Sequence, residues 1–380
     1  MKFLFDNIAS MFLSLLRRQF TLSKMKNHFV YIFSCLIIGT CNGQNIELDK
    51  GKNYKLAAIG FYNLENLFDT IVDPNPKLIL QDDFTPDGAK NWDSKKYHEK
   101  LSNMAKVIGM VGTEATPDGL AILGVCEIEN RSVLEDLVKT GKLAERNYKI
   151  VHYDSPDYRG IDVGFIYNPN YFKVTSSKTY AVTIPGNDTW TTRDELLVSG
   201  ELDGERMHFI VCHWPSRRGG EKKSRPKRIL AAKMAKKITD SIQTAEPNAK
   251  IILMGDLNDN PLSPSIKEGL EAKRSLKELE LNTLYNPMEN LHRQGVGTHF
   301  WRDNPNVFDM LILSSGIVPK NNNFTNYQYY KTKVFSKNFL KQQTGNWKGY
   351  PFRTYAGGTY TGGYSDHFPV YLFIVKEQNR

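Results

Sequence analysis

The chain has 380 residues, 40% hydrophobic and 24% charged, with no internal repeat and no long low-complexity tract. That composition excludes a fibrous or disordered chain and allows one large core or two smaller ones. The formal charge of +9 belongs only partly to the folded region, because residues 1–43 hold Lys2, Arg17, Arg18, Lys24 and Lys26 against Asp6, leaving +5 for the rest.

The N-terminus reads as a targeting segment. "KMKNHFVYIFSCLIIGTCNGQN" combines a basic start, an apolar run from Phe29 to Ile38 and small residues near Gly43. The run is too short to span a bilayer comfortably, so no stable membrane insertion is expected of the mature form. Residues 1–43 are expected to be a signal peptide, with Met25 an alternative start and cleavage near Gly43–Gln44. The product would be exported, either periplasmic or secreted. A lipid anchor through Cys41 is the weaker alternative, since Thr40 is a poor residue before such a cysteine. Cys35 and Cys41 fall in this segment, and the remaining Cys126 and Cys212 form neither a disulfide framework nor a zinc-site spacing.

Residues 44–380 are expected to form one domain. "KLAAIGFYNLENLF" begins as an apolar strand and ends polar. "DSKKYHEKLSNMAKVIGMV" places Tyr97, Leu101, Met104 and Ile108 on one helical face. "GLAILGVCEIEN" is a continuous apolar run ending in acids, as a strand buried on both faces would be. Ser132 and Glu135 have capping-box spacing, which predicts a helix start there. Five more strands are expected in "DVGFIYNP", "LLVSGELDGERMHFIVCHW", "AKIILMGDLND" and "VFDMLILS", the second segment being a hairpin that turns at Asp203-Gly204. Between two of them, Ile229, Ala232, Ala235, Ile238 and Ile242 make an apolar helical face. Hairpins argue against a doubly wound parallel sheet. An α/β four-layer sandwich is expected, with two packed, mixed, mostly antiparallel sheets flanked by helices.

Six strands carry a polar group at one end: Asn63, Glu127, His213, Asp256 with Asn258, Asp309, and Asp366-His367. Strand ends over a rigid sheet are where α/β folds build sites. Asn and Glu oxygens suit Mg²⁺ or Mn²⁺ rather than zinc. Asp256 can take a proton from water, Asn258 can donate to a phosphoryl oxygen, and Asp309 can orient an imidazole. His213 and His367 can serve as acid and phosphate donor. Acyl chemistry by a serine triad is disfavoured, since no Gly-x-Ser-x-Gly elbow occurs.

From about Leu56 to Phe373 the chain resembles the endonuclease/exonuclease/phosphatase superfamily, which includes pancreatic-type deoxyribonucleases. The resemblance rests on "FYNLENL", "GVCEIEN", "RGIDVGFIYN", "VCHWPS", "MGDLNDNP", "FDMLILS" and "YSDHFPV". It implies the same sandwich and divalent-metal-dependent cleavage of phosphate esters. It further implies that Asn63 and Glu127, with Asp366, hold the metal. Asp256 and Asn258 would handle the nucleophile, and Asp309 would pair with His367. The Trp-Cys-Asp-Arg signature of the inositol-phosphatase branch is absent from "NVFDML".

Two stretches bear on substrate. Residues 217–228, "RRGGEKKSRPKR", carry a net +6 just after His213. Residues 316–365 contain no Asp or Glu, seven Lys/Arg and twelve aromatics, as a nucleic-acid surface or plain packing would. Arg193, Arg217 and Arg218 are expected to bind substrate. The leading expectation is a nuclease acting on DNA or RNA, with no protein partner. The alternatives are a sphingomyelinase-like lipid phosphodiesterase or phosphatase, and a non-catalytic binding module. A lipid enzyme should expose apolar wedges.

Overall fold

The computed structural model describes residues 46–78, 83–320 and 322–378. Gln44–Arg380 forms a compact unit of its own. The expected signal peptide, with Met25, Cys35 and Cys41, lies outside the described residues.

Two six-stranded sheets build the unit. Numbered along the chain, the first contains β1 (Tyr54–Leu67), β2 (Leu120–Ile128), β3 (Lys149–His152), β4 (Asp162–Tyr167), β13 (Gln328–Val334) and β16 (Val370–Glu377), in the order β13-β16-β1-β2-β4-β3. The second contains β5 (Phe172–Tyr180), β6 (Glu195–Leu202), β7 (Glu205–His213), β8 (Ile251–Asp256), β9 (Leu284–Tyr285) and β12 (Asp309–Ser314), in the order β5-β6-β7-β8-β12-β9. Two short hairpins, β10 (His299–Trp301) with β11 (Asn304–Asn306) and β14 (Tyr355–Ala356) with β15 (Thr359–Tyr360), lie outside them.

In the first sheet β1 and β2 run parallel, in the second β7 and β8 do, and the other pairings are antiparallel. Parallel neighbours end at the same edge. Asn63 and Glu127 therefore come side by side near the end of one pair, and His213 and Asp256 at the end of the other.

The inner faces of the sheets interdigitate through residues such as Phe61, Phe165, Phe209 and Met254. The rings of Phe165 and Phe209 are 5.5 Å apart. Gly124 lets the sheets close here, since a Cβ on it would lie 2.5 Å from the Met254 sulfur. Helix α1 (Ser94–Ile108) buries Tyr97, Leu101, Met104 and Ile108 against the outer face of the first sheet, with α2 (Arg131–Val138) beside it. Helix α3 (Glu221–Ala245) packs Ala232, Ala235 and Ile238 on the second. The result is the expected sandwich of helix, sheet, sheet and helix. A short helix, α4 (Met288–Arg293), follows β9.

The hairpin at Asp203-Gly204 forms with both residues at positive φ, +51° and +79°, as the right-handed twist of its strands demands. The capping box does not form. Helix α2 is capped one residue earlier than Arg131 by Asn130, whose side chain accepts from the Val133 N–H at 3.1 Å, while Glu135 pairs with Arg131. Among the described residues no helix is long and apolar enough to cross a membrane.

Candidate active site

The site is assembled where both parallel pairs end. On β8, Asp256 is in register with His213 of β7 on one side and Asp309 of β12 on the other. Residues in register share a sheet face, so all three face the first sheet. From there Asn63 donates its amide to Asp256 Oδ2 at 3.1 Å, and its own Oδ1 accepts the Glu65 N–H at 2.8 Å. Asp256 Oδ1 accepts the N–H of Asn258 at 3.0 Å, which closes a tight turn at an αL asparagine, φ +51°. The Asn258 amide donates to the Trp214 carbonyl at 3.0 Å, leaving one N–H of that amide for a ligand.

His367 Nδ1 lies 2.7 Å from Asp309 Oδ2, and its Nε2 faces Asp256 Oδ2 at 3.8 Å. Burial by itself would lower this imidazole. The surrounding Asp309, Asp256 and Asp366 overcome it and hold the ring well above its ordinary pKa, as an imidazolium. His213 is its opposite. Burial, with Arg193, Arg159 and His367 adding to it, pushes this imidazole well below its ordinary value, so it is neutral. Its Nε2 lies 3.6 Å from Asp256 and 3.8 Å from Glu127, and its Nδ1 is buried without a partner. Burial raises Asp256 to about 7; His367 pulls it down while Asp309 and Glu127 push it up. A carboxylate poised there takes a proton from water near neutral pH.

Glu127 sits at φ +58°, where the β2 ladder breaks its register. One of its oxygens accepts the Asn66 N–H at 3.1 Å. Asp366 is held by Arg353 at 3.0 Å and lowered to about 2, against burial, by Arg353, His367, His299 and Lys100. The same Arg353 reaches Glu65 at 3.0 Å, and Lys100 of α1 stands 4.0 Å from Glu65. Five carboxylates (Glu65, Glu127, Asp256, Asp309, Asp366) thus face three cations (Lys100, Arg353, His367). With every acid ionised the excess is two negative charges, which one divalent ion would neutralise in these surroundings of low polarity. Asn63, Glu127 and Asp366 supply hard oxygen donors for Mg²⁺ or Mn²⁺. Donor atoms of Cys126, His213 and Asp256, and of Asp256, Asp309 and His367, also converge within 4.8 Å. The first set includes a thiol that burial holds protonated, and the second a histidine already bonded to Asp309.

Several expectations need correction. Arg193 is buried: it donates to Asp157 at 2.8 Å and to the main-chain carbonyls of His213 and Trp214 at 3.0 and 2.7 Å. It anchors the strand end that carries His213 instead of reaching into solvent. Arg217 is half-buried, bonded to Asp259 and to the Asn258 carbonyl, both at 3.0 Å, and stacked over Phe308. Arg218 is exposed and touches Tyr158. Cys212 turns away from the site as alternation requires. Cys126 does not, because the left-handed Glu127 breaks the alternation, and the thiol lies beneath His213 and Asp256. Both cysteines are free and buried. Cys212→Ala is expected to keep full specific activity and lose about 1–2 kcal/mol of stability. Cys126→Ala should in addition lower kcat several-fold at unchanged KM; equal kcat values for the two variants would contradict this placement.

Glu65, Lys100, His299 and Arg353 were not foreseen as site residues. His299 stacks on Phe308 and packs against His367, ring centres 4.8 Å apart, and burial lowers it to about 4. Glu65 alone carried a signal, since it stands two residues beyond Asn63 on the same strand.

Residues 58–376 match the endonuclease/exonuclease/phosphatase family. No curated protein matches the sequence. Among solved structures, TDP2 from Caenorhabditis elegans is similar at 15% identity and a TM-score of 0.50, over 86% of this chain and 77% of that one. The mannosyl-6-phosphatase Bt3783 of Bacteroides thetaiotaomicron follows at 15% and 0.48, over 84% and 99%. The human Nocturnin catalytic domain follows at 12% and 0.49, over 86% and 98%. With a match spanning most of its length, the chain belongs to the endonuclease/exonuclease/phosphatase family.

Proposed function

We propose that this protein is an exported, divalent-metal-dependent nuclease that hydrolyses phosphodiester bonds of DNA or RNA. A bound Mg²⁺ or Mn²⁺ would supply charge stabilisation to the phosphate. Asp256 takes the proton of the attacking water. His367, held as imidazolium by Asp309, presents Nε2–H to a phosphoryl oxygen, and the spare Asn258 N–H does the same. His213, neutral, faces the ester oxygen and donates a proton to it as the water oxygen bonds to phosphorus and that ester bond breaks. Export rests on residues 1–43; an N-terminus far from Gln44 in the protein recovered outside the cytoplasm would exclude the proposed cleavage.

One observation favours a nucleic acid. Beside the strand end that carries His213 lies a cavity of about 480 Å³, lined by Arg159, Arg218, Lys223 and Lys227 together with Trp190, and containing Asp157 as its one acid, already spent on Arg193. Such a surface binds a polyanion whose phosphates continue past the scissile one. The structure narrows the basic segment to its free members. Arg228 is fully buried and paired with Asp259 at 2.8 Å, and Arg225 is paired with Glu221. The variant Arg218→Ser/Lys222→Ser/Lys223→Ser/Lys227→Ser is therefore expected to weaken binding of a short duplex across all sequences. It should also flatten the slope of log affinity against log salt by about 2 to 4. Slopes equal to wild type would remove the role of this surface. Plasmid DNA, RNA and sphingomyelin, each incubated with and without Mg²⁺, test the reaction itself; hydrolysis of sphingomyelin alone would overturn the nuclease reading.

The lipid alternative has an observation of its own, since Trp301 and Trp347 are 64% and 57% exposed. They flank a concave cavity, which suits a small ring better than a bilayer.

A further inference from the structure

Most of the aromatics in residues 316–365 are spent on packing: Phe324, Tyr327, Tyr329 and Phe335 are buried, and Tyr330, Phe339, Tyr355, Tyr360 and Tyr364 pack partly buried against the core. Trp347 and Tyr350 are different. With Phe300, Trp301, Arg302 and Arg353 they line a second cavity, of about 510 Å³. We propose that this cavity is a base-binding subsite, which takes the planar ring of the nucleotide adjoining the scissile phosphate. The proposal rests on the nuclease reading and names the part of the substrate that sets its specificity.

Position is the first argument. Trp301 and Arg302 line both this cavity and the cleft that contains His299 and His367. Trp301 stands two residues from His299 on β10, about 7 Å along a strand, and His299 packs on His367. Arg353 forms part of the wall and holds Asp366 at 3.0 Å. An occupant is thus within reach of a phosphate at the catalytic groups, as a covalently attached part of the substrate would be.

Chemistry is the second. The walls are aromatic: Phe300 lies tilted against Tyr350 and Trp347 meets it edge-on, at centroid distances of 5.1 and 5.3 Å. Arg302 lies over the Trp301 ring, and Gln342 adds an amide. Stacking faces with a few donors suit a flat heterocycle bearing acceptors, whereas an acyl chain would leave those donors idle. Preorganisation is the third. The Tyr350 hydroxyl accepts the Asp303 N–H at 2.6 Å and donates to its carboxylate at 2.7 Å, which ties the Trp347 loop to the tip of the β10–β11 hairpin. The rings are fixed before a ligand arrives, while two indoles stay in water at a hydrophobic cost that stacking would relieve.

Calorimetric titration of the full chain with adenosine 5′-monophosphate and with ribose 5-phosphate tests this. The nucleotide should bind about tenfold tighter or better, since base stacking is worth about 1–3 kcal/mol. Trp347→Ala should erase that advantage and leave ribose 5-phosphate affinity unchanged, and Trp347→Phe should restore most of it. On an oligonucleotide Trp347→Ala should raise KM about tenfold with kcat within about twofold. Equal affinity for the two phosphates, or an unaltered Trp347→Ala, would overturn the subsite. Trp347→Ala lowering attachment to sphingomyelin vesicles, with no preference for the nucleotide, would overturn it in favour of a lipid contact. Failure of the wild type to cleave any nucleic acid, with the nucleotide preference intact, would strike the nuclease reading and leave the ring-binding cavity standing.

Discussion

Chelation by EDTA is expected to abolish hydrolysis, and Glu127→Gln to lower kcat by about three orders of magnitude without unfolding the protein. The reason is the charge balance of the site. Five carboxylates face three cations in a largely buried cluster, and two of those acids, Glu65 and Asp256, are pushed up to about 7 by burial first and by neighbouring acids second. Glutamine keeps the shape of Glu127 and can still accept the Asn66 N–H. It removes one negative charge, and with it one of the proposed oxygen ligands. Without divalent ions the variant should therefore melt at or above the wild-type temperature, because repulsion has been relieved. With millimolar Mg²⁺ the wild type should gain in Tm by mass action and the variant should gain little. Full activity in EDTA, or identical Mg²⁺ shifts for the two proteins, would dismiss the metal assignment.

His213→Ala and His367→Ala should each cost kcat about two orders of magnitude or more, within the range of acid–base and electrostatic groups. Their stabilities should differ. His213 is neutral, makes no close hydrogen bond through Nδ1, and should leave little behind but a small cavity. Loss of His367 strands Asp309, fully buried, without its partner at 2.7 Å. Breaking a buried charge pair from one side costs about 3–5 kcal/mol. His367→Ala should melt well below His213→Ala, and Asp309→Asn should recover part of that loss in the double variant. A His213→Ala protein with wild-type rate would make that histidine structural.

The corrections share a pattern. Arg193 and Arg228 looked like free cations, yet each has a carboxylate partner, Asp157 and Asp259, 36 and 31 positions away in the chain. Charge at a distance in sequence is invisible to a local count. Cys126 lies on the site's side for a local reason that no composition reveals, a left-handed residue at Glu127 that resets the strand alternation. His299 opens a three-residue hairpin strand and Arg353 stands in a loop, both too short to show a periodic pattern, and they join the site only because the hairpin and the loop fold over its mouth.

What the sequence alone determined is the set of groups that had to be satisfied together. Buried apolar strands ending in Asn63, Glu127, His213, Asp256, Asp309 and His367 cannot leave those groups unpaired, and the alternation of helix and strand implied a layered sandwich to hold them. Only the tertiary structure decided how the charges divide. Whether a cation is spent on a structural partner or left for substrate, and whether a thiol faces the site or the core, depends on which strand ends and loops meet across the two sheets. That is set by packing between segments far apart in the chain.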